Sequence, residues 1–147
     1  MVADMWSKQG AKFVHGDRLL DAASTGPKWL LEPAVADIVA ETLHSGRKDF
    51  EYELGSWVVM PNHVHPVIRP QHGLSQTVRR IKGKSARRAN EHRGCTGEPF
   101  WARDYYDHWI RNREEEQRIS RYIENSPVKA GLCGSAGEWI WSSASRG

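Results

Sequence analysis

A chain of 147 residues with 39% apolar and 27% charged side chains is long enough for one domain with an enclosed core. No apolar run reaches the length of a bilayer span, and the N-terminus lacks the blocks of a secretory signal, so the reading is a cytoplasmic protein without a membrane partner. The two cysteines, Cys95 and Cys133, have neither CxxC spacing nor paired histidines beside them. That excludes a disulfide framework and a structural zinc site, and reads as free thiols.

Residues 1–25 offer only the weak apolar cluster Phe13-Val14. Trp29-Leu30-Leu31-Glu32-Pro33 leads into a helix, because proline suits a first helical turn and Val35, Ile38, Val39 and Leu43 form one stripe. Gly46 is placed to end it. Tyr52 to Val59 alternates and then becomes continuously apolar, a strand buried on both faces. Met60-Pro61-Asn62 turns the chain, and residues 63–69 return as a second strand.

A second helix spans about Ser75 to Glu91, with Leu74, Val78, Ile81 and Ala89 inward. Over residues 76–93, seven cations (Arg79, Arg80, Lys82, Lys84, Arg87, Arg88 and Arg93) face the single acid Glu91. The segment is +6 and the rest of the chain −3, within a total of +3. Such segregation suits a phosphate backbone, and a merely solvated helix face is the bland alternative. After a loop at 94–99, Phe100-Trp101 closes it and an extended segment carries Tyr105 to Arg111. Asn112 with Glu115 three positions on forms a capping box for a third helix, which Pro127 should end. Helices packed on one side of a largely antiparallel sheet make an α+β domain.

His63-Val64-His65 is the most informative local pattern. Side chains alternate along a strand, so both imidazoles share a face, roughly 6–7 Å apart along the strand. That spacing lets them chelate one metal ion. An isolated pair of this kind is more often two surface or half-buried histidines, so the surroundings decide.

Those surroundings are Val58-Val59-Met60-Pro61-Asn62-His63-Val64-His65, then Ile81-Lys82-Gly83, Phe100-Trp101 and Tyr105-Tyr106-Asp107-His108-Trp109-Ile110-Arg111. They continue with Arg121-Tyr122-Ile123-Glu124-Asn125-Ser126-Pro127-Val128-Lys129-Ala130-Gly131-Leu132 and Trp139-Ile140-Trp141-Ser142-Ser143. In this order and spacing they resemble the REP-associated tyrosine transposases, a branch of the HUH single-tyrosine transposases of the IS200-like superfamily. The resemblance covers about residues 26–143. It divides the chain into an unmatched segment, 1–25, and a catalytic domain, 26–147. It implies a ferredoxin-like or RRM-like antiparallel sheet with the histidines on a central strand.

The resemblance also implies a chemistry. A metal-dependent endonuclease and strand transferase would act on single-stranded DNA hairpins through a 5′-phosphotyrosine intermediate. Tyr122 matches the nucleophile, with Tyr106 the second choice and a core role beside Ile119 and Ile123 the structural alternative. His63 and His65, joined by Asn125, would hold Mg²⁺ or Mn²⁺, although imidazole alone suits manganese or zinc better. Arg111 and Lys82, with Arg79, Arg80, Arg87 and Arg88, would grip phosphates. Trp101 and Trp109 are candidates for stacking on unpaired bases. Asn62 reads as a turn former.

Three departures stand out. The family's first strand is missing or replaced within residues 1–25, which would leave a sheet edge for a partner chain, a homodimer for instance, to fill. Pro66 follows the second histidine and cannot donate to a ladder, suggesting a bulge or an exposed edge. Ser126 stands where asparagine is usual. The alternative function is therefore a degenerate or domesticated hairpin-DNA-binding protein without catalysis. A zinc hydrolase lacks a third ligand at fixed spacing.

Overall fold

The computed structural model describes residues 11–15, 29–101 and 106–146, and the side chains of 29–101 and 107–146. The motif residues Gly26, Pro27, Lys28 and Tyr105, and the side chain of Tyr106, lie outside that description.

Strand β1 (Ala11–His15) is followed by a 3-10 turn at Trp29–Leu31 and helix α1 (Pro33–Asp49). The hairpin β2 (Tyr52–Met60) and β3 (His63–Pro70) leads to α2 (Leu74–Arg93), β4 (Tyr106–Ile110) and α3 (Arg113–Lys129). A 3-10 turn at Ala136–Glu138 and a short α4 (Ser143–Arg146) complete the order. The sheet is antiparallel throughout, in the order β2-β3-β1-β4. With helices after β1 and β3, this is the ferredoxin-like arrangement.

The expectation of a missing first strand is overturned. Ala11–His15 lies inside the sheet, pairing Phe13 with Val67 of β3 and with His108 of β4. Its polar residues, Lys12 and His15, hide a strand that backbone pairing on both sides defines. The missing-strand reason for a partner chain falls with it. The free side of β2 is also covered locally, since Val58 bridges Ser142 and the Val59 N–H is donated to the Trp141 carbonyl.

Packing on one side holds for α1 and α2 and fails for α3. Trp57, Val59 and Val64 join Val35, Val39, Leu43 and Ala89 on one face. Val58, Met60 and Val67 join Ile110 and Ile123 on the other. Adjacent strand residues point oppositely, so α3 covers the face that α1 and α2 leave. A bulge between Leu54 and Trp57 shifts the β2 register, which lets Leu54 and Trp57 pack toward the same helices.

Two local readings are corrected, and a third is resolved between its alternatives. Gly46 lies within α1, which runs on to Asp49; a Cβ there would sit 2.5 Å from the Tyr52 hydroxyl. Glycine is needed for close approach, and the buried Tyr52 hydroxyl caps the Leu43 carbonyl. Pro127 does not end α3. The helix continues to Lys129 and closes on Gly131 (φ 77°), with Gly131 N–H to Val128 O at 2.9 Å and Leu132 N–H to Pro127 O at 2.8 Å. Pro66 lies on no edge, but the bulge expected there is found, since the register shift between Leu54 and Trp57 falls where Trp57 pairs with Pro66. The residue is buried in central β3, where the β1 ladder, pairing Phe13 with Val67, stops short of it. Proline has no N–H to continue that ladder.

Candidate active site

The two-residue turn at Pro61 and Asn62 sets the hairpin register, pairing Met60 with His63 and Val58 with His65. His63 and His65 therefore share the α3 face with Val67, while Val64 packs toward α1 and α2. The two imidazole centroids lie 4.5 Å apart at 76°, closer than the strand spacing alone predicts because the rings incline together. His65 is 2% exposed; His63 is half-buried.

Asn62 is buried, and its Oδ1 lies 2.8 Å from His63 Nδ1. An amide oxygen only accepts, so Nδ1 donates in this contact, and in a neutral ring Nε2 is then the nitrogen able to ligate. Reading Asn62 as a turn former missed this role. Its signal was available, since an amide immediately before a ligand-type histidine can orient the ring.

Helix α3 is held over this face by polar contacts one turn apart. Arg69, buried on β3, pairs with Glu116. Ser56 Oγ donates to Ser120 Oγ at 2.6 Å, and Ser143 Oγ to Glu124 Oε2 at 2.5 Å. Ile119 and Ile123 pack between them against Val58, Met60 and Val67. This clamp leaves Tyr122 on the flank of the helix, 45% exposed, its ring 6.1 Å from that of His65 at 65°. The core-tyrosine alternative is therefore not what the fold adopts, because Ile123, and not Tyr122, is fully buried.

Asn125 is exposed on the same helix, one turn beyond Tyr122. Among the described residues, no group of three His, Cys, Asp or Glu side chains converges as a metal site. The described residues offer two imidazoles, a set that would need an amide, water or a substrate oxygen to complete the coordination of a divalent cation.

The cations divide. Arg79, Arg80 and Arg87 are exposed on α2, which packs on the sheet face away from the histidines. Arg88 donates to Glu41 at 3.0 Å and Thr42 at 3.1 Å, tying α2 to α1, and Lys84 reaches Asp49 at 3.0 Å. Lys82 lines a groove beside Trp101. Arg111 is highly exposed and meets Glu115 at 3.2 Å. The start of α3 lies about 14 Å along the helix axis from Tyr122. The structure therefore brings Tyr122, His63 and His65 together and leaves Arg111 and the α2 cations apart from them. Trp109 is 57% exposed.

Asn112 caps α3 by accepting from Glu115 N–H at 2.8 Å, but the Glu115 side chain does not close the expected box. It accepts from the Arg111 backbone N–H at 2.7 Å and also meets His108 at 3.3 Å. The Arg111 backbone bond is the main reason its carboxyl drops to about 2, and the bonds from the Arg111 guanidinium and His108 assist.

No helix among the described residues is long and apolar enough to cross a membrane. Residues 28–126 match the family model described as transposase IS200 like. The chain is 27% identical to the REP-associated tyrosine transposase of Escherichia coli K12 over 103 residues, 68% of this chain and 59% of that protein. It is 28% identical to an uncharacterized protein of Haemophilus influenzae over 100 residues, spanning 56% of that relative. The match thus spans somewhat over half the length of either relative. A solved structure of a REP-associated tyrosine transposase bound to a REP hairpin superposes with a TM-score of 0.66 at 21% identity, covering 95% of this chain and 79% of that one. With its family model matching about two thirds of the chain, and with this fold, the protein belongs to the IS200-like transposase family.

Proposed function

We propose that this chain is a metal-dependent single-strand DNA endonuclease and strand transferase acting on hairpin-forming repeats through Tyr122. The observation that carries the reading is the exposed Tyr122 ring beside His65, on the face His65 shares with His63. The Tyr122 phenolic oxygen attacks the scissile phosphorus and loses its proton to solvent. The bond from phosphorus to the 3′-oxygen breaks, giving a 5′-phosphotyrosine ester and a free 3′-hydroxyl. The ester retains the energy for rejoining. His63 and His65, with Asn125 as a third donor, are the residues to hold Mg²⁺ or Mn²⁺. When bound, such an ion neutralises charge at the phosphate and the leaving oxygen. Asn62 orients His63, and the α3 clamp holds Tyr122 in place. Arg79, Arg80, Lys82, Arg87 and Arg111 supply phosphate contacts outside this centre.

The likeness to a structure carrying a REP hairpin supports hairpin DNA as the partner. The noncatalytic alternative draws on the placement of the α2 cations across the sheet from the histidines, which makes binding separable from cutting. One gel decides between them. Labelled single-stranded hairpin DNA from the flanks of the gene, incubated with the protein and Mn²⁺, should give a covalent adduct that survives denaturation. Hairpin binding with no adduct under any divalent metal would establish the noncatalytic reading.

A further inference from the structure

Gly83 stands in the middle of α2, and a Cβ built on it meets nothing within 4 Å among the described residues. Glycine is the poorest helix former after proline, so a close neighbour usually accounts for one in a helix interior. Gly46 has such a neighbour in Tyr52; Gly83 has none among the described residues. It instead lines a groove of about 520 Å³ between α2 and residues 98–101.

Arg79, Lys82, Gly83 and Ala86 present one helix face to that groove, and Phe100 and Trp101 stand opposite. The Trp101 ring is fixed, because its indole N–H is donated to Ser85 Oγ at 2.8 Å and its centroid lies 4.9 Å from Phe100. Trp29 stacks behind Phe100 at 5.3 Å, and the Arg93 guanidinium covers Trp29 at 4.0 Å. Among the described lining residues, Arg79 and Lys82 are the cations and Glu98 the acid. A rigid aromatic wall, a cationic rim and a floor kept low by glycine are the requirements of a site for an unpaired nucleotide.

We propose that this groove is a second nucleic-acid subsite, holding an unpaired nucleotide of a single DNA strand. Its phosphate lies by Arg79 and Lys82, its base faces Trp101, and Gly83 lets the strand pass close over the helix. That the ligand is DNA rests on the function proposed above. Because α2 and the histidines occupy opposite faces of the sheet, the nucleotide held here is not the one cut.

The test uses the full chain with two labelled probes, an unstructured thymidine homopolymer and a blunt hairpin, read by fluorescence anisotropy. Gly83→Leu enters open space and favours the helix, so its circular dichroism and melting temperature should match or exceed wild type. It should weaken the homopolymer about tenfold and leave the blunt hairpin unchanged. Arg79→Glu should weaken the homopolymer more than Arg80→Glu, which lies outside the groove; that comparison holds whatever leucine does to folding. Unchanged homopolymer binding by Gly83→Leu, equal losses on both probes, or equal effects of the two arginines would each overturn the proposal. Adduct formation, measured in parallel, separates the two readings. An adduct with an indifferent Gly83→Leu removes the groove and keeps the catalysis. A sensitive Gly83→Leu without any adduct keeps the groove and removes the catalysis.

Discussion

Tyr122 turns its ring toward His65 at 6.1 Å and 65°. One comes from the third turn of α3 and the other from a central strand. Their proximity depends on Arg69–Glu116, Ser56–Ser120 and Ser143–Glu124 holding α3 on the sheet. Tyr122 is exposed there, whereas His65 is buried.

Tyr122→Phe should retain fold, metal binding and hairpin affinity while forming no covalent adduct. The residue is 45% exposed, so the stability change should stay within about 0.5 kcal/mol. Tyr106→Phe should still form the adduct. Denaturing gels of both variants check this, and the opposite pattern would move the nucleophile to Tyr106.

His63→Ala and His65→Ala should abolish cleavage and weaken Mn²⁺ binding, measured by electron paramagnetic resonance of the free ion. Asn62→Leu should weaken Mn²⁺ by about 10- to 100-fold, because His63 loses the partner that orients it. Hairpin affinity should change only a few-fold in all three. Metal binding that is unaltered in Asn62→Leu would return Asn62 to a turn former.

Charge reversal at Arg79, Arg80 and Arg87 should flatten the salt dependence of single-strand binding, by about 0.7 in slope for each phosphate no longer neutralised. Arg88→Glu should behave differently, since Arg88 is bonded to Glu41 and Thr42. Its main effect should be a lower melting temperature. A series of binding isotherms at increasing salt, with thermal melts, distinguishes the two classes.

Glu115 links acid stability to the start of α3. Its carboxyl lies at about 2 in the folded chain against an ordinary 4.5, chiefly through the Arg111 backbone N–H. A depressed folded value means the unfolded chain takes up the proton first. The contribution is therefore complete above about 4.5 and is lost as pH falls toward about 2. Wild type should exceed Glu115→Gln in urea resistance at pH 6, with the gap closing as pH drops through that window. A gap independent of pH would exclude the linkage.

Gly46→Ala should destabilise the fold by about 1–3 kcal/mol, since the new methyl meets the Tyr52 hydroxyl. Tyr52→Phe alone should cost about 1 kcal/mol for the missing bond to Leu43. The double variant should be more stable than the sum predicts, because removing the hydroxyl makes room for the methyl. Denaturant melts of the four proteins close the cycle.

Local chemistry made much of this protein legible from its residues alone. Alternation put His63 and His65 on one face, apolar periodicity placed α1 and α2, and Asn112 marked the start of α3. These readings depend on neighbours within a few positions, where spacing dictates geometry. Tertiary structure decided what distant partners control. Ala11–His15 is a strand because β3 and β4 offer their hydrogen bonds on either side of it, and two apolar residues could not announce that. Gly46 serves Tyr52 instead of ending α1. Pro127 sits inside a helix that Gly131 closes. Tyr122 shares an apolar-looking stretch with Ile119 and Ile123, yet the contacts along the other side of α3 rotate it out of the core. Such choices depend on the face a helix presents to the sheet, which only long-range packing determines.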